Sequence, residues 1–90
     1  MFRNLEDLIK TIRDRKNSSS DKSYTHKLLN DKNLSVSKVK EEVAELIQAV
    51  EKNTNKIHES ADVIYHLLVY LEANNIKIED VMKELEKRKK

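Results

Sequence analysis

Apolar residues recur at helical spacing along almost the whole chain. Near the amino end Leu5, Leu8, Ile9 and Ile12 fall at i, i+3, i+4 and i+7. That spacing predicts a helix from about Asn4 to Lys16, with Asn4 as N-cap and Glu6 and Asp7 in its first turn. The polar run Asn17–Ser23 interrupts the pattern and predicts the one loop of notable length. A short helix over Tyr24–Leu29 follows, which Ser23 can cap, and Asn30-Asp31-Lys32-Asn33 predicts a turn. The next helix begins near Ser35 or Ser37 and runs to about Lys52, with Val36, Val39, Val43, Leu46, Ile47 and Val50 on one stripe. The connection Lys52-Asn53-Thr54-Asn55 is short, so the helix after it, about Lys56 to Ala73, folds back antiparallel. Asn74-Asn75 ends that helix, asparagine being the residue after glycine that best tolerates a left-handed C-cap. A last helix spans about Ile78 to Lys87.

Composition narrows the picture further. The 90 residues contain no glycine, no proline and no cysteine, where average usage would give about 7% Gly and 5% Pro. That removes Gly-rich phosphate loops, dinucleotide fingerprints and tight-hairpin sandwiches, and leaves an all-α fold of four to five helices around a central antiparallel hairpin. Residues 1–90 form a single domain with no internal repeat. A chain this short buries only about 60 to 65% of its unfolded surface, which leaves room for oligomerisation. Without cysteine there is no disulfide framework, thiolate metal site or thiol nucleophile. The first residues lack an apolar leader and no stretch approaches 18 apolar residues, so a cytoplasmic, non-membrane protein is expected.

The formal charge of +2 does not predict nucleic-acid binding. Lys87-Arg88-Lys89-Lys90 supplies the basic excess, and from Ser35 to Glu72 four lysines face seven acids. That is the wrong sign for a phosphate-backbone footprint.

The acids are the informative residues. In Ala61–Leu71 nine of eleven residues are apolar or aromatic, and a helix apolar on every side is expected to be buried on every side. Asp62 and His66 are the exceptions, four apart on one face, with Glu59 a turn earlier. Alone, a buried Asp is most simply a salt-bridged one. Likewise Glu41, Glu42 and Glu45 alone are the solvated side of an amphipathic helix. The hairpin alters both readings. Glu45 and Glu59 each lie seven residues from position 52, and Glu42 and Asp62 each lie ten from it. Folding back sets the pairs in two tiers about 4.5 Å apart. Four converging carboxylates repel unless divalent cations lie between them, and an oxygen-only set suits Mg²⁺ or Mn²⁺. Such a site favours phosphoanhydride cleavage by metal-activated water, with Arg13, Lys27 and Lys40 the nearest cations in sequence.

The pattern Glu41-Glu42-x-x-Glu45, then Glu59-x-x-Asp62, resembles the signature of the MazG-like all-α nucleotide pyrophosphohydrolases. Ser23-Tyr24-Thr25-x-Lys27-Leu28-Leu29 and Asp62-Val63-Ile64-Tyr65-His66-Leu67-Leu68-Val69 narrow the resemblance to the phosphoribosyl-ATP pyrophosphohydrolase family over nearly the whole chain. The resemblance implies Mg²⁺-dependent hydrolysis of 1-(5-phosphoribosyl)-ATP to 1-(5-phosphoribosyl)-AMP and pyrophosphate, in histidine biosynthesis. It implies Glu42, Glu45, Glu59 and Asp62 as metal ligands, and Glu41 as a ligand, an outer-shell group or the base for water. Ser23, Tyr24, Thr25 and Lys27 would hold the nucleotide. By its spacing, His66, one turn after Asp62, could orient that carboxylate or meet a phosphate, although a histidine satisfied within the bundle is the simpler reading. Relatives often carry Gly where Lys40 stands, so Lys40 is a further candidate for phosphate. The resemblance also implies a homodimer whose helices combine to complete the bundle. A MazG-like (d)NTP pyrophosphatase and a non-catalytic helical dimerisation module are the alternatives.

Overall fold

The structure is a computed structural model and describes residues 1–18 and 23–89. Among the described residues all regular structure is helical, in five segments: α1 (Arg3–Lys16), α2 (Tyr24–Asn30), α3 (Lys32–Lys52), α4 (Lys56–Ala73) and α5 (Ile78–Arg88). Part of the loop expected between α1 and α2 lies outside the described residues.

Two boundaries differ from expectation. Asn4 lies inside α1, and Phe2 is the residue before it, with no side-chain cap. The turn expected over residues 30–33 contracts to Asp31. Its carboxylate accepts the Leu34 N–H at 3.0 Å and starts α3 at Lys32, several residues earlier than Ser35. One well-placed acceptor is enough to cap a helix, so the flanking asparagines need not be loop. Ser23 caps α2 as expected, accepting from the His26 N–H at 3.1 Å.

The α3–α4 hairpin is the longest packed pair. Its turn and the end of α4 use asparagine where glycine is usual. At Asn53 φ is 56° and at Asn75 it is 59°. After each, a sixth-to-first backbone bond closes the helix: Thr54 N–H to Ala49 C=O at 2.9 Å and Ile76 N–H to Leu71 C=O at 2.9 Å. Both are Schellman motifs, which satisfy carbonyls the helix would leave unpaired. The left-handed residue of the second is Asn75, one position past the C-cap Asn74.

The core is small: Ile12, Leu28, Leu29, Val69 and Ala73, with Leu8, Leu34, Tyr65 and Leu68 packed against it. It joins α1, α2 and α4. In α3 the buried positions are Ser35, Glu42 and Ala49, a strict i, i+7, i+14 line. The valine stripe is therefore not the inner face in a single chain, since Val43, Ile47 and Val50 are exposed. The same inversion holds in α4. His66, Val69 and Ala73 are buried, whereas Ile57, Ile64 and Leu67 are exposed, Ile57 to 88%. A helix expected to be covered on every side is left open along one, while Val63, Tyr65, Leu68, Tyr70 and Leu71 are half-buried. The reason is that α3 turns Glu42 towards Asp62 and His66 of α4, while α4 turns Val69 and Ala73 into the core with α1 and α2.

Helix α5 buries no residue fully. It is held at its start by Glu79, whose two carboxylate oxygens each accept from one terminal nitrogen of the Arg13 guanidinium. Lys16 secures the adjoining end of α4, donating to the Glu72 carbonyl at 2.8 Å and to Asn75 Oδ1 at 2.7 Å. A groove of about 780 Å³ lined by Phe2, Leu5, Ile9, Leu68, Ile78 and Met82 separates α1 from α5, away from the acids described next.

Candidate metal and nucleotide site

Glu42 lies in the middle of the buried line of α3 and is 9% exposed. Lys38 at i−4 and Glu45 at i+3 share its face, as the 3.6-residue turn requires, and Glu41 stands next to it at the edge. Suitable oxygens of Glu41, Glu42 and Glu45 lie within 4.8 Å of one another, and on α4 so do ligand atoms of His58, Glu59 and Asp62. The two groups face each other. Glu45 is within hydrogen-bonding reach of both Glu42 and Glu59, and Asp62 bears electrostatically on both as well. The tiers counted from position 52 are thus present as neighbours in space.

This arrangement is electrostatically uncomfortable. Loss of hydration, then the Glu45 carboxyl group beside it, pushes the Glu42 carboxyl above the usual carboxylate range. Loss of hydration is also the main cause at Glu59, followed by the charges of Glu45 and Asp62, and the shift is again upward. Glu42 Oε2 and Glu59 Oε2 are buried without a hydrogen-bond partner. A buried carboxylate oxygen without a donor is costly. An oxygen-rich pocket with orphaned anionic atoms on both walls fits a hard divalent cation.

Cations and hydroxyls border the acids on one side. Lys38 donates to Glu41 Oε2 at 3.3 Å, and this bond holds the ammonium pKa above its ordinary value. Lys38 also bears on Tyr24, whose phenol is pushed upward chiefly by burial. Lys38 is a residue that reasoning from sequence missed. The signal was present, since it lies four residues before Glu42 and seven before Glu45 on one face. Lys40 is exposed and lies about 200° around the helix from Lys38, on the far side from the acids. Lys27 is exposed on α2. Arg13 is engaged with Glu79 and Glu72 at the other end of the molecule and does not join the carboxylates.

Helix α2 meets α4 through side chains. The Tyr24 hydroxyl lies 3.1 Å from His66 Nε2, and the Thr25 and Tyr65 hydroxyls are hydrogen-bonded. His66 Nδ1 lies 2.8 Å from the Asp62 carbonyl oxygen. His66 is 7% exposed. On the outer edge His58 Nε2 approaches Asp62 Oδ2 at 3.3 Å. Neither Tyr65 nor His58 had been assigned a part from sequence.

Comparison with known proteins agrees with this geometry. Residues 5–89 match the family described as phosphoribosyl-ATP pyrophosphohydrolase. A phosphoribosyl-ATP pyrophosphatase of Clostridium novyi (strain NT) is 45% identical, the match covering 96% of this chain and 81% of that protein. One from Clostridium acetobutylicum is 49% identical over 93% of this chain and 79% of that protein. The histidine biosynthesis bifunctional protein of Buchnera aphidicola subsp. Schizaphis graminum (strain Sg) is 43% identical over 94% of this chain but only 41% of its own length. A match over nearly every described residue, on an all-helical fold with facing acidic clusters, places this chain in the phosphoribosyl-ATP pyrophosphohydrolase family.

Proposed function

We propose that the protein is a Mg²⁺-dependent phosphoribosyl-ATP pyrophosphatase of histidine biosynthesis, cleaving 1-(5-phosphoribosyl)-ATP to 1-(5-phosphoribosyl)-AMP and pyrophosphate. The observation that carries the reading is the pair of buried, unpartnered oxygens on Glu42 and Glu59 within a cluster of four carboxylates. Glu42, Glu45, Glu59 and Asp62 would hold the cation, with Mn²⁺ a substitute for Mg²⁺. Bound there, the metal would supply charge neutralisation of the oligophosphate and a water of lowered pKa. Glu41 stands at the solvent edge of the cluster, where it can orient or deprotonate water. Ser23–Lys27 borders the nucleotide, Lys27 and Lys38 offer cations to its phosphates, and His66 supports Asp62 from behind. Lys40 would act on phosphate only beyond the edge of the cluster.

The exposed stripes Val43, Ile47, Val50 on α3 and Ile57, Ile64, Leu67 on α4 support a homodimer formed through the outer face of the hairpin. No helix among the described residues is long and apolar enough to cross a membrane, and a cytoplasmic setting accords with the pathway.

The deciding assay is pyrophosphate release from phosphoribosyl-ATP against a panel of dNTPs, with Mg²⁺ and with chelator. Preference for phosphoribosyl-ATP that disappears in chelator and in Asp62→Asn is the expected result. Faster turnover of any dNTP would move the assignment to a (d)NTP pyrophosphatase. Indifference of wild type to Mg²⁺, with no turnover, would leave a helical dimerisation module.

A further inference from the structure

Segment 23–27 is joined to the acid-bearing hairpin by two side-chain bonds, which land on consecutive residues of α4. Tyr65 takes the hydroxyl of Thr25, forty residues away in sequence, and His66 takes that of Tyr24. The histidine is well fixed for this. Its Nδ1–H donates to the Asp62 carbonyl at 2.8 Å, so in the neutral ring Nε2 carries no proton and accepts from the Tyr24 O–H. The Tyr65 ring meets the imidazole edge to face at 4.9 Å and 85°, and the Tyr24 ring does so at 5.9 Å and 74°. The third hydroxyl of the segment, on Ser23, accepts from the His26 N–H. Each of the three hydroxyls therefore has a partner within the protein.

We propose that Tyr65 and His66 are positioning residues that engage Thr25 and Tyr24, so that these two hydroxyls lock α2 against α4 beside Asp62 instead of contacting the nucleotide. The chemistry left to meet substrate on this side is the Tyr24 ring face and the Lys27 ammonium, carried on a segment whose distance from the carboxylates is set by the two bonds. The lock rests on the reading above that residues 23–27 border the nucleotide. It differs from that reading in what the hydroxyls do.

A double-mutant cycle between Thr25→Val and Tyr65→Phe tests it. A net hydrogen bond of ordinary strength corresponds to a factor of about 2 to 10. Each single variant is expected to raise KM for phosphoribosyl-ATP by about that factor with kcat changed less than about twofold, and the double variant is expected to match the singles, because both remove one shared bond. Amide hydrogen exchange in α2 should accelerate by about the same factor in all three, whereas Mn²⁺ affinity measured by titration stays at the wild-type value. Tyr24→Phe provides the parallel test through His66. If Thr25→Val raises KM well beyond Tyr65→Phe and the double variant compounds them, the Thr25 hydroxyl touches substrate and the proposal is overturned. Unchanged exchange in α2 also overturns it. If wild type turns over no phosphoribosyl-ATP, the functional reading fails separately, and the exchange data still decide whether the lock exists.

Discussion

Replacing Glu42 with Gln should make the metal-free protein more stable while destroying its response to Mg²⁺. Glu42 and Glu45 present oxygens within 4.8 Å of each other. Two unit charges at that separation repel by about 3.5 kcal/mol at an effective dielectric near 20 and by about 0.9 kcal/mol in water. Glu42 is buried and Glu45 half-buried, so removing one charge should relieve about 1 to 3 kcal/mol. The amide also gives Glu45 a donor, where Glu42 Oε2 now has no partner. For a domain of this size about 2 kcal/mol corresponds to about 8–16 °C in Tm. The measurement is thermal denaturation followed by circular dichroism at neutral pH, in chelator and in millimolar Mg²⁺. In chelator Glu42→Gln should melt higher than wild type. With Mg²⁺ wild type should gain stability through binding to the folded state, and the variant should gain less. The pH dependence has a definite sign. The Glu42 and Glu59 carboxyls lie above their ordinary range when folded, so their charged forms destabilise the fold above those raised values. Metal-free wild type should therefore gain stability as pH falls from neutral through them, and Glu42→Gln should gain less. A wild type that melts above the variant in chelator and ignores Mg²⁺ would refute the argument that these acids are held in mutual repulsion for a cation.

Four further outcomes are expected. Leu28 is fully buried where α1, α2 and α4 meet, so Leu28→Ala should cost about 2 to 5 kcal/mol in urea unfolding, enough to leave so small a core partly unfolded. Asn53→Ala places a β-carbon without a local hydrogen-bonding side chain in the left-handed region and should lower stability by about 1 kcal/mol, whereas Asn53→Gly should be neutral or stabilising. The Arg13 guanidinium holds the Glu79 carboxyl down at about 2. Its contribution is present above the ordinary carboxylate pKa and lost as pH falls from there to about 2, so Glu79→Gln should speed hydrogen exchange in α5 at neutral pH and make little difference at or below about pH 2. Ile47→Glu puts a charge in the exposed stripe of α3, and sedimentation should find the variant monomeric if that stripe forms the homodimer.

Helix existence was open to reading from sequence because apolar spacing and asparagine stops are local signals. The starts and stops that met expectation, such as the cap at Ser23 and the stop at Asn53, are set by residues within one turn. Asp31 misled because it sits among polar neighbours that look like a longer turn, and only the bond to Leu34 distinguishes a cap from a loop. The acidic tiers were readable because a short hairpin turns sequence distance into spatial register. The contacts of Tyr24 with His66 and of Thr25 with Tyr65 were not, since a link across some forty residues depends on where α2 docks, which no periodicity encodes. Lys38 was passed over for Lys40, although helical phase alone separates them.

The orientation of the hairpin explains why the apolar stripe of α3 is only partly covered, with Val36, Val39 and Leu46 half-buried and Val43, Ile47 and Val50 exposed. A stripe of Val43, Ile47 and Val50 on α3 would ordinarily mark the side packed on the rest of its own chain. Here that side is taken by Ser35, Glu42 and Ala49, opposite His66 and Asp62 on α4. The carboxylates can share cations only if both helices turn their polar-bearing faces inward, and helical geometry then forces the apolar stripes outward. Burying those stripes as well requires surface that the small core of one chain does not provide. The acidic face inside the hairpin and the exposed apolar stripe outside it are thus two consequences of one orientation of α3 and α4, and the proposed metal site and the proposed dimer would use one each. A substitution that re-buried Ile47 and Ile64 within one chain would have to pull Glu42 away from Asp62, so a stable monomer made that way should lose Mg²⁺ binding with it.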